Sequence, residues 1–208
     1  MVPSAAPAVC SPVPSASPGS SCNEGVILSR VTSTKRPSTF DLDLSRRYWK
    51  HAPSGLGKID SEELLKLDDA AFSDAWSANA RSRLTHYLEE DHFVRLYERE
   101  FRDRRVLSFG SGLGLIELRL LRAGVHVTCA DIVASNLGVI ERAARMEGVE
   151  SRLRTITLED PPHAEYGGPY DGILLWGSLM TMPTEDQRQV LAALRSALAP
   201  AGRLELLL

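Results

Sequence analysis

From residue 104 onward, short apolar runs alternate with longer amphipathic stretches. Arg105–Phe109, Val125–Ala130, Leu153–Leu158, Gly172–Trp176 and Arg203–Leu208 each read as a strand, rich in Val, Ile and Leu and bounded by turn residues. The intervals carry the helical period. Leu115–Leu121 follows the first strand; Leu137, Ile140 and Ala144 mark one face of a helix that stops at Gly148, a residue able to take the left-handed cap conformation. Thr184-Glu-Asp-Gln187 has capping-box spacing and opens a helix bearing Val190, Leu191, Leu194 and Leu198, which Pro200-Ala-Gly202 ends. Parallel strands need a crossover, usually helical, so a helix in each interval predicts an α/β fold: a doubly wound, mostly parallel sheet.

Upstream, residues 41–103 read as helical. A short aromatic segment, Arg46-Arg-Tyr-Trp49-Lys-His-Ala-Pro53-Ser-Gly55, ends in turn residues, and Asp60-Ser-Glu-Glu opens the next helix with acids in its first turn. Phe72, Trp76, Ala80, Leu84 and Leu88 recur every four residues, and Phe93, Leu96, Tyr97 and Phe101 every three or four, giving two apolar stripes. Glu98, Arg99, Glu100, Arg102 and Asp103 read as a solvated face. These helices are expected to cover the sheet beside a cleft. Residues 1–40, rich in Ser, Pro and Ala and with Glu24 as their sole acid, have the profile of a disordered tail. An organelle transit peptide is the alternative. The expected division is therefore 1–40, 41–103 and 104–208.

Composition narrows the field. The 208 residues, 43% apolar, suffice for one core. A formal charge of −3, with acids and bases intermixed, advertises no basic face for nucleic acid. Cys10, Cys22 and Cys129 are an odd set without CxxC spacing, which suggests a reducing, cytoplasmic setting. His51, His86, His92, His126 and His163 have no metal-ligand spacing, so no metal is expected, and no apolar run is long enough to span a bilayer.

The chemistry-bearing feature is the turn after the first strand, Gly110-Ser111-Gly112-Leu-Gly114, with Asp131 about 20 positions on. Glycines there let a backbone approach a ligand, and the following helix aims free N–H groups at it, so a nucleotide cofactor is expected. Taken with Leu158-Glu-Asp160, Tyr170-Asp171-Gly-Ile-Leu-Leu and Ala197-Leu-Ala-Pro200-Ala-Gly202-Arg, these motifs resemble, in order and spacing, the class I S-adenosylmethionine-dependent methyltransferases. The resemblance covers Arg105 to the end. Its GxGxG spacing differs from the GxGxxG of nicotinamide-binding proteins, which disfavours an NAD-linked oxidoreductase. Tyr48-Trp49-Lys-His51 and Trp176-Gly-Ser178-Leu-Met180 resemble small-molecule methyltransferases in particular.

The resemblance implies a Rossmann-like fold, S-adenosylmethionine as donor and a small-molecule methyl acceptor. It also implies roles. Gly110, Ser111, Gly112 and Gly114 would face the methionine end of the donor, Asp131 its ribose hydroxyls, Ile132 the adenine ring, and Glu159 or Asp160 the adenine amino group. Trp176, Gly177 and Ser178 would line the opening toward the acceptor, while Asp171 would anchor the start of the fourth strand. No catalytic base is assigned; His51, Tyr48 and His163 are the candidates by position.

Two departures stand out. The family places an acid two residues before the first glycine, where this chain has Ser108, a hydroxyl without charge. No substitute for that charge is assigned from sequence. The family sheet also continues past the fifth strand with a helix and two more strands, so the expected sheet lacks them. Leu204–Leu208 would then be an open apolar edge for a partner or second copy, or the sequence is a fragment. The rival reading is a non-catalytic, methyltransferase-like binding or scaffold protein.

Overall fold

The computed structural model describes residues 40–50, 60–86 and 88–207. The tail reading for 1–39, with Cys10 and Cys22, and the turn carrying His51 lie outside the described residues. So do the side chains of Leu84, His86, Leu88 and His92. Helices α1 (Leu42–Lys50), α2 (Ser61–Lys66), α3 (Asp69–His86) and α4 (Leu88–Glu100) precede the alternating region. This continues as β1 (Arg105–Phe109), α5 (Leu115–Arg122), β2 (His126–Asp131), α6 (Ala134–Met146), β3 (Leu153–Thr157), β4 (Tyr170–Trp176), α7 (Thr184–Ser196) and β5 (Leu198–Leu207).

The strands form one sheet in the order β3-β2-β1-β4-β5, every pair parallel. Winding runs outward from β1 to β3, then restarts at β4 on the other side of β1. That restart makes the carboxyl ends of β1 and β4 the topological switch point, where doubly wound sheets open a crevice. Side-chain alternation along β1 feeds two cores. Val106 packs with Leu118, Leu121, Ile140 and the aromatics Phe72, Trp76, Tyr97 and Phe101 on one face. Leu107 and Phe109 pack with Tyr166, Tyr170, Val190 and Leu194 on the other.

Several elements depart from the sequence reading. The crossover from β3 to β4 carries one 3-10 turn, Pro161–His163, in place of a helix. Two tyrosines hold it: Tyr166 Oη donates to the Pro161 carbonyl, and Tyr170 Oη to the Tyr166 carbonyl at 2.7 Å. Helix α7 ends at Ser196, and Leu198 starts β5 opposite Tyr170, five residues earlier than expected. Pro200 is tolerated inside this strand because β5 lies at the sheet edge and its ladder slips between Tyr170 and Gly172. No capping box forms at α7. Pro183 is the N-cap, and the Gln187 side chain donates instead to the Met182 carbonyl at 2.8 Å. In α4, Tyr97 and Phe101 are buried on the expected stripe, but Val94 takes the place of Phe93, which is 41% exposed. Its acids are not merely solvated: Glu98 pairs with Arg119 of α5, and Glu100 with Arg203 of β5.

The N-terminal helices dock onto α6 through one arginine. Arg142 donates to the carbonyls of Leu64 (3.5 Å), Leu65 (3.3 Å) and Leu67 (2.8 Å) at the end of α2, where helix carbonyls run short of intrahelical partners. Its guanidinium also lies 4.4 Å from the Phe72 ring centroid and 2.7 Å from Asp69. The arginine side chain is 12% exposed and Asp69 80%. Several charge-assisted bonds from a largely buried guanidinium outweigh one exposed ion pair, so Arg142→Ala should cost about 2 kcal/mol in urea unfolding, and Asp69→Asn less than about 0.5. Equal losses in the two variants would mean that the ion pair carries the docking.

Candidate functional site

The site grows from the end of β1. Gly110 N–H donates to the Ala130 carbonyl at 2.7 Å, and Gly114 N–H to the Ser111 carbonyl at 3.1 Å, closing the turn. Gly110, Gly112 and Gly114 all have positive φ, at 72°, 56° and 77°. Their surroundings differ. A Cβ at Gly110 would sit 2.5 Å from Cβ of Ser178, and one at Gly114 would sit 2.6 Å from three carbons of Ile140, whereas Gly112 faces open space. Gly110 thus lets the ends of β1 and β4 close together, Gly114 seats α5 on α6, and Gly112 alone of the three leaves room for a ligand. The Ser111 hydroxyl is buried without a hydrogen-bond partner, and burial pushes the pKa of the Cys129 thiol well up.

Asp131, at the end of β2, fixes this turn from below. It is 5% exposed. Oδ2 accepts from Gly112 N–H and Oδ1 from Val133 N–H, both at 2.8 Å, with Asn136 Nδ2 at 3.5 Å. Burial raises its pKa, and these bonds oppose the rise. Oδ2, with one donor, keeps a second acceptor site.

Ser108 is not isolated. The alternation that sends Leu107 and Phe109 to one core sends Ser108 toward α5, where its hydroxyl donates to Glu117 Oε1 at 2.6 Å. Glu117 lies in the first turn of α5 and is buried with Leu118, Leu120 and Leu121. Burial is the main cause of its raised pKa; Ser108 and the N–H groups of Glu117 and Ile116 oppose it, and Asp131 adds to it. An acid four residues before Leu121, on the apolar side of a short helix, was the available sequence signal.

Beyond Asp131, the chain forms the second wall. Ile132 is half-buried, and Leu158 N–H donates to the Asp131 carbonyl at 2.8 Å, joining the ends of β2 and β3. Arg46 of α1 reaches this wall from the N-terminal region: Nε donates to the Ile132 carbonyl at 2.9 Å, and Nη2 to the Leu158 carbonyl at 3.3 Å and to Glu159 at 2.6 Å. The sequence presents Arg46 only as part of an aromatic segment, because a contact spanning 86 residues leaves no local pattern. Asp160 pairs with His163 Nδ1 at 2.8 Å, and His163 Nε2 is buried without a hydrogen-bond partner. Tyr48 is 62% exposed, and His51 lies outside the described residues.

At the end of β4, Trp176 stacks at 6.1 Å against Tyr97 in a tilted arrangement. Its indole Nε1 and the Ser178 hydroxyl are buried, and neither has a hydrogen-bond partner. Asp171 anchors the other end of the strand, accepting Arg105 N–H at 2.9 Å. A separate groove of about 440 Å³, lined by Arg105, His126, Arg152 and Arg154, lies at the opposite, amino-terminal ends of β1 to β3. Among the described residues, no group of His, Cys, Asp or Glu is placed to hold a metal, and no helix is long and apolar enough to cross a membrane.

Residues 106–202 match the family model described as a methyltransferase domain. The ubiquinone biosynthesis O-methyltransferase of Cronobacter sakazakii is 28% identical over 146 residues, covering 69% of this chain and 58% of its own length. The enzyme of the same name from Xylella fastidiosa is 36% identical over 104 residues, covering 48% of this chain and 39% of its own length. The chain therefore spans less than two thirds of these relatives. Among solved structures, the magnesium protoporphyrin IX methyltransferase of Synechocystis PCC 6803 with bound S-adenosylmethionine has a TM-score of 0.53 at 21% identity, over 78% of this chain and 74% of that one, a likeness of fold. With its glycine turn, its buried acid at the end of β2 and its matched residues 106–202, the chain carries a region similar to a methyltransferase domain on a Rossmann-like methyltransferase fold.

Proposed function

We propose that the chain binds S-adenosylmethionine at the Gly110–Gly114 turn and supports transfer of its methyl group to an oxygen of a small-molecule acceptor. One observation carries the reading: a turn whose middle glycine faces open space, held by a buried carboxylate at the switch point between β1 and β4. The residues present suit this donor. Gly112 gives a backbone surface without a Cβ, Asp131 has acceptor capacity left for ribose hydroxyls, and Ile132 offers an apolar edge for adenine. Glu159 and Asp160, the sequence candidates for the adenine amino group, have other partners in Arg46 and His163. Backbone acceptors near Leu158 then suit that amino group better than either side chain.

When bound, the donor supplies an electrophilic methyl carbon that an acceptor displaces in line, so the protein's task is mainly alignment and exclusion of water. Trp176 Nε1 and Ser178 Oγ suit the acceptor side, being polar groups at the end of β4 with unmet hydrogen-bonding capacity. Relatives named O-methyltransferases support an oxygen acceptor. Arg46 would close α1 over the adenine side. A free, buried Cys129 and an odd cysteine count support a cytoplasmic setting.

Calorimetric titration of the purified chain with S-adenosylhomocysteine, beside NAD, tests the reading. Saturable heat with the adenosyl ligand and none with NAD is expected; a folded protein silent to the adenosyl ligand would sink it and favour the scaffold alternative. Asp131→Ala should weaken that binding about 10- to 100-fold, the value of hydrogen bonds to a charged acceptor, with circular dichroism unchanged. Undiminished affinity would move the ribose site elsewhere. Arg46→Ala should weaken it about three- to tenfold by freeing α1, and an unaltered dissociation rate would show that α1 takes no part.

A further inference from the structure

The buried carboxylate of Glu117 has no counter-charge within the protein. Among the described residues, no Arg, Lys or His is paired with it; its side-chain partner is the Ser108 hydroxyl. A carboxylate held in a core among Leu118, Leu120 and Leu121 is costly unless a cation joins it, and removing such a group in favour of an apolar one is often neutral or stabilising. Asp131 compounds the cost, since its own buried carboxylate adds to the same electrostatic strain. Two buried acids therefore converge on one glycine turn without a basic side chain to balance them. Two independent observations point to a ligand at that place. Gly112 faces open space, and the Ser178 hydroxyl, packed against Gly110, is buried with no hydrogen-bond partner.

We propose that Glu117 binds the α-ammonium group of the amino-acid end of the methyl donor, with Ser108 orienting the carboxylate by its hydrogen bond. The proposal rests on the donor-binding reading above and deepens it. Asp131 and Glu117 then divide the donor between them, the first serving neutral hydroxyls and the second a cation. The division follows from position: Asp131 ends β2, toward the Ile132 wall, whereas Glu117 lies beneath the first turn of α5, beside β1. The arrangement also gives Ser108 a task. It supplies no charge, but its hydrogen bond fixes Oε1 of Glu117 and so the orientation of the carboxylate.

The test compares two ligands that differ at that end alone: S-adenosylhomocysteine, which carries the amino acid, and 5′-methylthioadenosine, which lacks it. Glu117→Gln should weaken S-adenosylhomocysteine about tenfold or more while changing 5′-methylthioadenosine less than about twofold, the pattern expected for loss of one charge-assisted contact. Exchanging the two side chains, Ser108→Asp with Glu117→Ser, returns a carboxylate to the same pocket and should recover most of the preference for the amino-acid ligand. Equal losses on both ligands would make Glu117 a structural residue, and no loss on S-adenosylhomocysteine would remove it from the site; either overturns the proposal. Should Gln at 117 prevent folding, the exchanged variant decides by keeping or losing that preference. A wild-type chain that binds neither ligand would overturn the donor-binding reading itself, an outcome distinct from a wild type that binds both and a variant that is indifferent.

Discussion

Asp131 is where the chain's two requirements meet. Its carboxylate holds Gly112 N–H on one side and Val133 N–H on the other, so the turn after β1 and the entry to α6 share one anchor. Because it is buried, the anchor works only while both amides remain in place; an exposed acid would exchange them for water. The parallel register of β1 with β2, Phe109 opposite Ala130, sets that geometry, and the switch point beside β4 opens the space it faces. The fold thereby commits an acceptor to the crevice before any ligand arrives.

Around this centre the N-terminal helices are held by polar ties as much as by apolar contact. Arg142 gathers the carbonyl end of α2, Arg46 bonds the wall formed by Ile132 and Leu158, and Lys50 of α1 reaches Glu62 of α2 at 2.6 Å. Both arginines use backbone carbonyls as acceptors, which makes docking depend on main-chain geometry more than on particular side chains. Helix α1 itself buries none of its residues fully, so its position relies on those bonds.

Local physics was the legible part of the sequence. β1 was bounded correctly because Arg105–Phe109 is a continuous apolar run entering a glycine turn, and α6 because Leu137, Ile140 and Ala144 share one face. The errors arose where tertiary contacts overrode local signals. Pro200 suggests the end of a helix, yet an edge strand accepts it; Gln187 has the spacing of a capping box, yet the Met182 carbonyl takes its amide. The turn after β1 was readable as a ligand site from its glycines, but the separate tasks of Gly110, Gly112 and Gly114 depend on Ser178 and Ile140, which no nearby residue announces. Ser108 was visible as an oddity; that Glu117 meets it required the pleat of β1 and the pitch of α5 together.

The contact between Gly114 and Ile140 reaches further than the turn. Position 114 touches α6, and α6 carries Arg142, on which α2 and α3 hang. A single added methyl group there would act as a wedge, and the displacement would travel along a rigid helix to the cover some distance away. The absence of one side chain therefore couples the shape of the glycine turn to the seating of α2 and α3 on α6, and a change in either would be felt by the other.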